Sequence, residues 1–377
     1  MSMINLALPH IKNLQKYIPG KPIETLAREK NLTRIIKLAS NENPFGASPN
    51  VLKAINENLS TIHLYPDPDA YQLKANLAEI YHISADMLLL GNGSDELIRL
   101  VIRTFADNNH NVIAPRYSFL SYMLATQEVN AQYVVAEIYD NWQNNLDNVL
   151  GKINNQTKIV CIANPNNPTG SYLEPEVIKN FIAQVPEHVL VMLDEAYLEY
   201  TKYDIDNKAQ VYDDYSISLV KKYPNLIVLR TFSKAYGLAG LRIGYAISHP
   251  QVIEAINRLR MPFNVNKLAQ IAAKSALQDQ DFIKKIVLIN NQQKEFLYKA
   301  FDDLRISYIP SYTNFITIQC AKSNLLYNQL LEHGIIVRPI DNYGLTNYLR
   351  ITIGTPEENQ YLLNTIIKIN LQENLWP

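Results

Sequence analysis

At 377 residues the chain exceeds what one simple core accommodates, so two domains are expected. Its 35 Lys and Arg against 36 Asp and Glu give a formal net charge of −1, which leaves no electrostatic footprint for nucleic acid or an anionic membrane. Its two cysteines, Cys161 and Cys320, argue against a disulfide framework or a Cys-rich metal site and suit a reducing cytoplasm, and no run approaches the ~18 apolar residues of a membrane span.

Taken in order, residues 1–37 carry prolines at 9, 19 and 22 with little periodicity, and read as an arm ending in a short helix around Glu24 to Lys30. An arm of this kind needs a second surface to order it, such as another subunit. Leu38 to Gly46 is turn-rich, and Asn43 before Pro44 is either an ordinary turn residue or a site residue. His63-Leu64-Tyr65-Pro66-Asp67-Pro68 reads in isolation as an exposed loop. Leu88 to Ile98 is a strand, a glycine turn and an amphipathic helix, whose start at Gly93, Ser94 and Asp95 either seats a phosphate or is capped by Ser94 or Asp95. A strand from Val112 leads to Tyr117, a flat ring placed where a strand meets a loop.

Residues 158–163 form a buried strand, and the prolines of Asn164-Pro165-Asn166-Asn167-Pro168-Thr169-Gly170 then give the Asn167 amide a defined direction. Val189 to Leu193 runs into Asp194-Glu195-Ala196-Tyr197. A carboxylate ending an apolar strand requires a cationic partner unless it merely caps a helix. The apolar run Leu226 to Leu229 delivers Ser233 and Lys234 to a strand's carboxyl end, the edge where open parallel sheets bind ligands. An amine shielded there from water can attack a carbonyl. From Pro250 the pattern turns helical over residues 251–276, with a break near 261–264, and again over 281–304. Strand-like pieces follow at 315–318, 334–338 and 348–353, the signature of a smaller α+β domain. Arg338 and Arg350, at strand ends, offer planar donor forks for carboxylate or phosphate, or are surface arginines.

The stretch Thr231-Phe232-Ser233-Lys234-Ala235-Tyr236-Gly237-Leu238-Ala239-Gly240-Leu241-Arg242-Ile243-Gly244-Tyr245 resembles the segment in which fold-type I pyridoxal-phosphate aminotransferases attach their cofactor to a lysine. The resemblance extends from Leu38 to Thr355 and is closest to the histidinol-phosphate aminotransferases. It implies an α/β fold: a large domain over 38–255 with a mostly parallel seven-stranded sheet flanked by helices, an N-terminal arm with part of the small domain over 1–37, and a small α+β domain over 256–377.

It further implies pyridoxal 5'-phosphate as cofactor, with no metal, and Lys234 as the catalytic residue. Gly93, Ser94, Asp95, Thr231, Ser233 and Arg242 would bind the cofactor beside Tyr117, which would stack on its ring. Asn167 and Tyr197 would donate to its phenolic oxygen, Asp194 would keep its ring nitrogen protonated, and Tyr65 would reach the phosphate in a neighbouring subunit. Tyr17, Asn43, Arg338 and Arg350 would meet the substrate, the two arginines sharing a phosphate ester. The implied activity is transfer of the amino group of histidinol phosphate to 2-oxoglutarate, giving glutamate, by a cytoplasmic homodimer in histidine biosynthesis. The same cofactor residues would serve an aromatic amino acid aminotransferase or a threonine-phosphate decarboxylase. A non-catalytic regulator on this fold would carry an added DNA-binding domain, for which the chain has no room.

Overall fold

A computed structural model describes residues 3–12, 14, 20–202 and 214–376; Tyr17 lies outside the described residues. Thirteen strands are present among them: β1 (Ile36–Lys37), β2 (Leu88–Gly91), β3 (Asn111–Pro115), β4 (Gln132–Ala136), β5 (Thr157–Ala163), β6 (Leu190–Asp194), β7 (Leu226–Thr231), β8 (Gly244–Ser248), β9 (Tyr308–Ile309), β10 (Phe315–Gln319), β11 (Ile335–Ile336), β12 (Arg338–Pro339) and β13 (Tyr348–Thr352). Seven make one sheet in the order β2-β8-β7-β6-β5-β3-β4. Its neighbours pair in parallel except at β8, which runs antiparallel to β2 and β7. The expected mostly parallel seven-stranded sheet is what forms.

The physical reason lies in side-chain alternation. Val160, Ile162, Val191, Leu193 and Val228 enter one apolar cluster, while Ile159, Cys161, Met192, Ile227 and Leu229 enter the cluster on the opposite face. Strands covered on both faces are continuous apolar runs, as in parallel sheets. Helix Ser94–Phe105 lies in the second layer, burying Leu97, Ile98, Leu100, Val101 and Ile102. Each such burial contributes about 1.5–3 kcal/mol. Its N-cap is Gly93, with no side-chain cap hydrogen bond, so packing rather than capping holds this helix and the capping reading of Ser94 and Asp95 falls away.

A four-stranded antiparallel sheet, β12-β13-β10-β9, forms the second layer system, and β1 pairs in parallel with β11 beside it. Its core gathers Ile36 and Leu38 with Leu297, Phe301, Ile316, Leu330, Ile351 and Ile366. Ile36 and Leu38 thus pack with the small domain. The boundary at residue 255 does not match the packing, however. Helix Lys267–Leu277 turns Ala269, Ala272, Ala273 and Ala276 into the large-domain core, where small side chains let it approach helix Pro49–Asn58 closely. Helix Gln280–Asp303 begins in that core with Ile283 and Val287 and reaches the small one with Leu297 and Phe301. The packing thus places the division inside this helix.

Candidate active site

The carboxyl ends of β5, β6 and β7, with the turn after β2, open onto one cavity of about 190 Å³. The first domain lines it with Ser94, Asp95, Phe119, Asn167, Asp194, Tyr197, Thr231, Ser233, Lys234 and Arg242. The small domain adds Arg338, Tyr343 and Arg350, and the N-terminal segment adds Gly20, Ala39, Ser40 and Asn41. Four cationic side chains, Lys234, Arg242, Arg338 and Arg350, thus line the cavity with Asp194 and Asp95, a balance that suits an anionic ligand.

Lys234 donates from Nζ to the Ser40 carbonyl at 3.1 Å, and Nζ lies 5.7 Å from the Tyr197 ring centroid. Burial, and then the Arg350 guanidinium, lower its pKa to about 8. Asp194 is buried at the end of β6, and among the described residues no cation is bonded to it. Oδ2 accepts from the Tyr122 hydroxyl at 2.7 Å and Oδ1 from the Ala196 amide at 3.1 Å, while burial raises its carboxyl to about 6. A protonated nitrogen base set against this carboxylate would supply the missing counter-charge.

Tyr197 accepts from Asn41 Nδ2 at 2.8 Å, which leaves its own proton available; burial raises that phenol to about 12, so it stays a donor. The Asn167 carbonyl oxygen accepts from Arg350 Nη1 at 2.6 Å, which leaves its amide N–H groups for the cavity. Arg350 also donates from Nη2 to the Ala39 carbonyl at 2.8 Å, and its buried Nε has no partner among the described residues. Arg338 and Arg350 are register partners across β12 and β13. Like charges directly opposite each other on neighbouring strands repel unless an anion joins them.

At the far wall, Thr231 donates to the Ser233 hydroxyl at 3.1 Å, and Arg242 Nη1 lies 3.5 Å from that hydroxyl. Gly93 has φ +80°, and a Cβ built on it would stand 2.4 Å from Arg242 Nη2, so the glycine leaves room for that guanidinium over the helix start. Open backbone N–H groups, hydroxyls and a guanidinium form a seat for a phosphate. Asp95 directs its side chain away, to Ser121 Oγ and to Arg99 Nε at 3.2 Å, so what it offers the seat is its backbone.

Three expected residues stand elsewhere. Asn43 donates from Nδ2 to the Ala235 carbonyl at 2.9 Å and accepts from the Phe45 amide at 3.0 Å, tying the turn beside Lys234 without lining the cavity. Tyr117, at φ +59°, lies against Trp142 with ring centroids 6.0 Å apart, and Phe119 takes the cavity wall. Tyr65 is 81% exposed and stacks on Phe263 at 4.7 Å, outside this cavity. Conversely, Asn41, Phe119, Tyr122 and Tyr343 were not anticipated. Asn41 alone had a signal, since it belongs to the same Asn-Glu-Asn turn as Asn43. Among the described residues no group of three or more His, Cys, Asp or Glu is arranged to hold a metal, and no helix is long and apolar enough to cross a membrane.

The family model of class I and II aminotransferases matches residues 33–366. Histidinol-phosphate aminotransferase 1 of Mannheimia succiniciproducens is 46% identical over 372 residues, covering 98% of this chain and 99% of that protein. Histidinol-phosphate aminotransferase 2 of Haemophilus influenzae is 44% identical over 374 residues, covering 98% and 99%. Among solved structures, the histidinol-phosphate aminotransferase of Sinorhizobium meliloti in complex with pyridoxal-5'-phosphate is similar with a TM-score of 0.85 at 27% identity, covering 97% of each chain.

Proposed function

Because the chain belongs to the class I and II aminotransferases, we propose that it transfers the amino group of L-histidinol phosphate to 2-oxoglutarate, yielding imidazole acetol phosphate and L-glutamate in histidine biosynthesis. The observation that carries the substrate is the facing pair Arg338 and Arg350 in a cavity already rich in cations. A dianionic phosphate ester offsets two guanidinium groups, whereas a carboxylate offsets one.

The residues present fit pyridoxal 5'-phosphate, on the grounds of an uncompensated buried carboxylate and a glycine kept open beneath an arginine. When bound, that cofactor supplies a carbonyl carbon for amino exchange and a conjugated ring that spreads the negative charge left by a departing proton. Lys234 would hold it through Nζ, and the same Nζ, free of other duties, would take the proton from the substrate carbon. Asp194 would hold the ring nitrogen protonated. The Asn167 amide and the Tyr197 hydroxyl would donate to the phenolic oxygen, while the Ser94 and Asp95 amides, Thr231, Ser233 and Arg242 would hold the phosphate.

We further propose a cytoplasmic homodimer in which Tyr65 serves the neighbouring site. The buried free thiols Cys161 and Cys320 suit a reducing compartment, and Ile62, Leu64, Tyr65, Met261 and Phe263 leave an apolar surface for a partner copy.

Single-turnover half-reactions with each amino donor added alone test the substrate. Arg338→Gln should cut kcat/KM for histidinol phosphate roughly 10–100-fold, one charge-assisted contact, and spare phenylalanine, whose monoanion Arg350 alone can hold. Equal losses for both donors would remove the phosphate assignment.

A further inference from the structure

Asp194 keeps its charge in an unfavourable place. Glu195 and Asp95 both push its carboxyl up, on top of the larger effect of burial. Lys234 is a cation within electrostatic range, Tyr197 adds its phenol, and Cys161 on β5 presents a thiol that burial keeps protonated. Against these stand two hydrogen bonds to the charged form, one from the Ala196 amide and one from the Tyr122 hydroxyl.

Tyr122 lies within helix Leu120–Glu128, fully buried in the apolar layer behind the sheet, with Phe119 packed edge-on at 5.9 Å. A phenol in such surroundings has to find an acceptor. Burial and the neighbouring carboxylate hold its own proton firmly in place, so it is a donor at every working pH. The backbone amide is indifferent to substitution, which leaves the Tyr122 hydroxyl as the side-chain donor that favours the charged form of Asp194.

We propose that Tyr122 is a positioning residue of this reaction: its hydroxyl keeps Asp194 ionised and aimed into the cavity, so that a proton shared with the cofactor's ring nitrogen rests on the ring. The inference depends on the reading that Asp194 faces that nitrogen. Without the donor the carboxylate becomes the stronger base of the two and takes the proton, and the ring loses its ability to absorb charge.

Tyr122→Phe removes one oxygen and retains the ring and its contact with Phe119. In cofactor-free, full-length protein carrying isotope-labelled aspartate, infrared difference spectra against Asp194→Asn isolate the Asp194 carboxyl. Its midpoint, about 6 with Tyr122 in place, should rise by about one unit in Tyr122→Phe, roughly a tenfold shift in protonation. In the loaded enzyme, kcat for the half-reaction should fall about tenfold while KM for the amino donor stays within about twofold. An unmoved midpoint overturns the inference, and so does a loss confined to KM or thermal stability, which would make Tyr122 a packing residue. Asp194→Asn, run in parallel, separates the two readings. Wild-type turnover in that variant would defeat the assignment of Asp194 itself. Impaired turnover there, with Tyr122→Phe unaltered in midpoint and kcat, would defeat the role of Tyr122 alone.

Discussion

Lys234 must be neutral to attack a carbonyl, yet it sits among cations that an anionic ligand requires. The structure makes one demand serve the other, because Arg350 and Arg242, after burial, disfavour the ammonium form, with Glu42 opposing them. The folded pKa of about 8 lies below the ordinary 10.5. The folded state therefore prefers the free amine, and the stability this lysine costs below about pH 8 fades as pH rises towards 10.5. Cofactor uptake by the cofactor-free protein should accelerate with pH and level off above about 8. Arg350→Gln should move that midpoint upward, because a cation that disfavours the ammonium is gone. Stopped-flow absorbance over pH 6–10, roughly two units either side of that midpoint, measures both. At this scale motif residues such as Lys234, Asp194 and Arg242 were legible, because chemistry restricts what can stand there. Asn41 was not distinguished from Asn43. The backbone decides between them: Asn41 has φ +56° and reaches Tyr197, while Asn43 closes its own turn. Tyr122 gave no signal, since a tyrosine in an apolar helix looks like core.

Strands were the easiest elements to read, since burial on both faces writes them as unbroken apolar runs. Arg230 is the exception within β7. It is 2% exposed and bonds Glu195 at 2.9 Å, Asp214 at 2.8 Å and the Tyr81 hydroxyl at 2.9 Å. A sequence shows only that a charge interrupts the strand, because its partners come from three other segments. This knot clamps Glu195, next to Asp194, to the strand that ends just before Lys234. Arg230→Met leaves Glu195 buried without its cation, and should cost about 3–5 kcal/mol in chemical denaturation of the cofactor-free protein. The turn after β2 behaves differently. In Gly93→Ala the new methyl meets Arg242 Nη2, the far end of a flexible side chain, so the arginine yields before the backbone does. The positive φ adds about 1–2 kcal/mol of strain. We expect cofactor affinity to fall by at least about tenfold, the loss of one charge-assisted contact, with the thermal midpoint of the cofactor-free protein lowered only modestly. Equilibrium dialysis and calorimetry give the two values.

On the scale of the molecule, the Tyr65 surface is the feature a single chain cannot explain by itself. Tyr65 is 81% exposed although stacked on Phe263, and Leu64 and Met261 beside it are 54% and 68% exposed. Mixing Tyr65→Phe with Lys234→Ala subunits tests shared sites. Each parent is impaired, while a hybrid dimer concentrates both defects in one site and leaves the other whole, so activity should recover above either parent. Hybrids shown to form without any recovery would place Tyr65 outside the neighbour's site. The two-domain organisation was legible as a change from sheet pattern to helices and then short strands. The boundary was not, because helix Gln280–Asp303 is continuous while its packing partner changes midway along it.

The pairing of β1 with β11, and the bonds from Arg350 to Ala39 and from Thr352 Oγ1 to Asn41 Oδ1, bind the start of the chain to its far end. Asn41 and Thr352 are 311 residues apart. A ribosome adding about 5–20 residues per second takes roughly 15–60 s to cover that distance. From the completion of β8 until β13 is made, the sheet can be formed while Ala39 and Asn41, which flank the Ser40 carbonyl that meets Lys234, still lack their ties to Arg350 and Thr352. The amine of a nascent chain is thus not yet in its working environment, and competence to take up the cofactor arrives only with the last strand of the small domain.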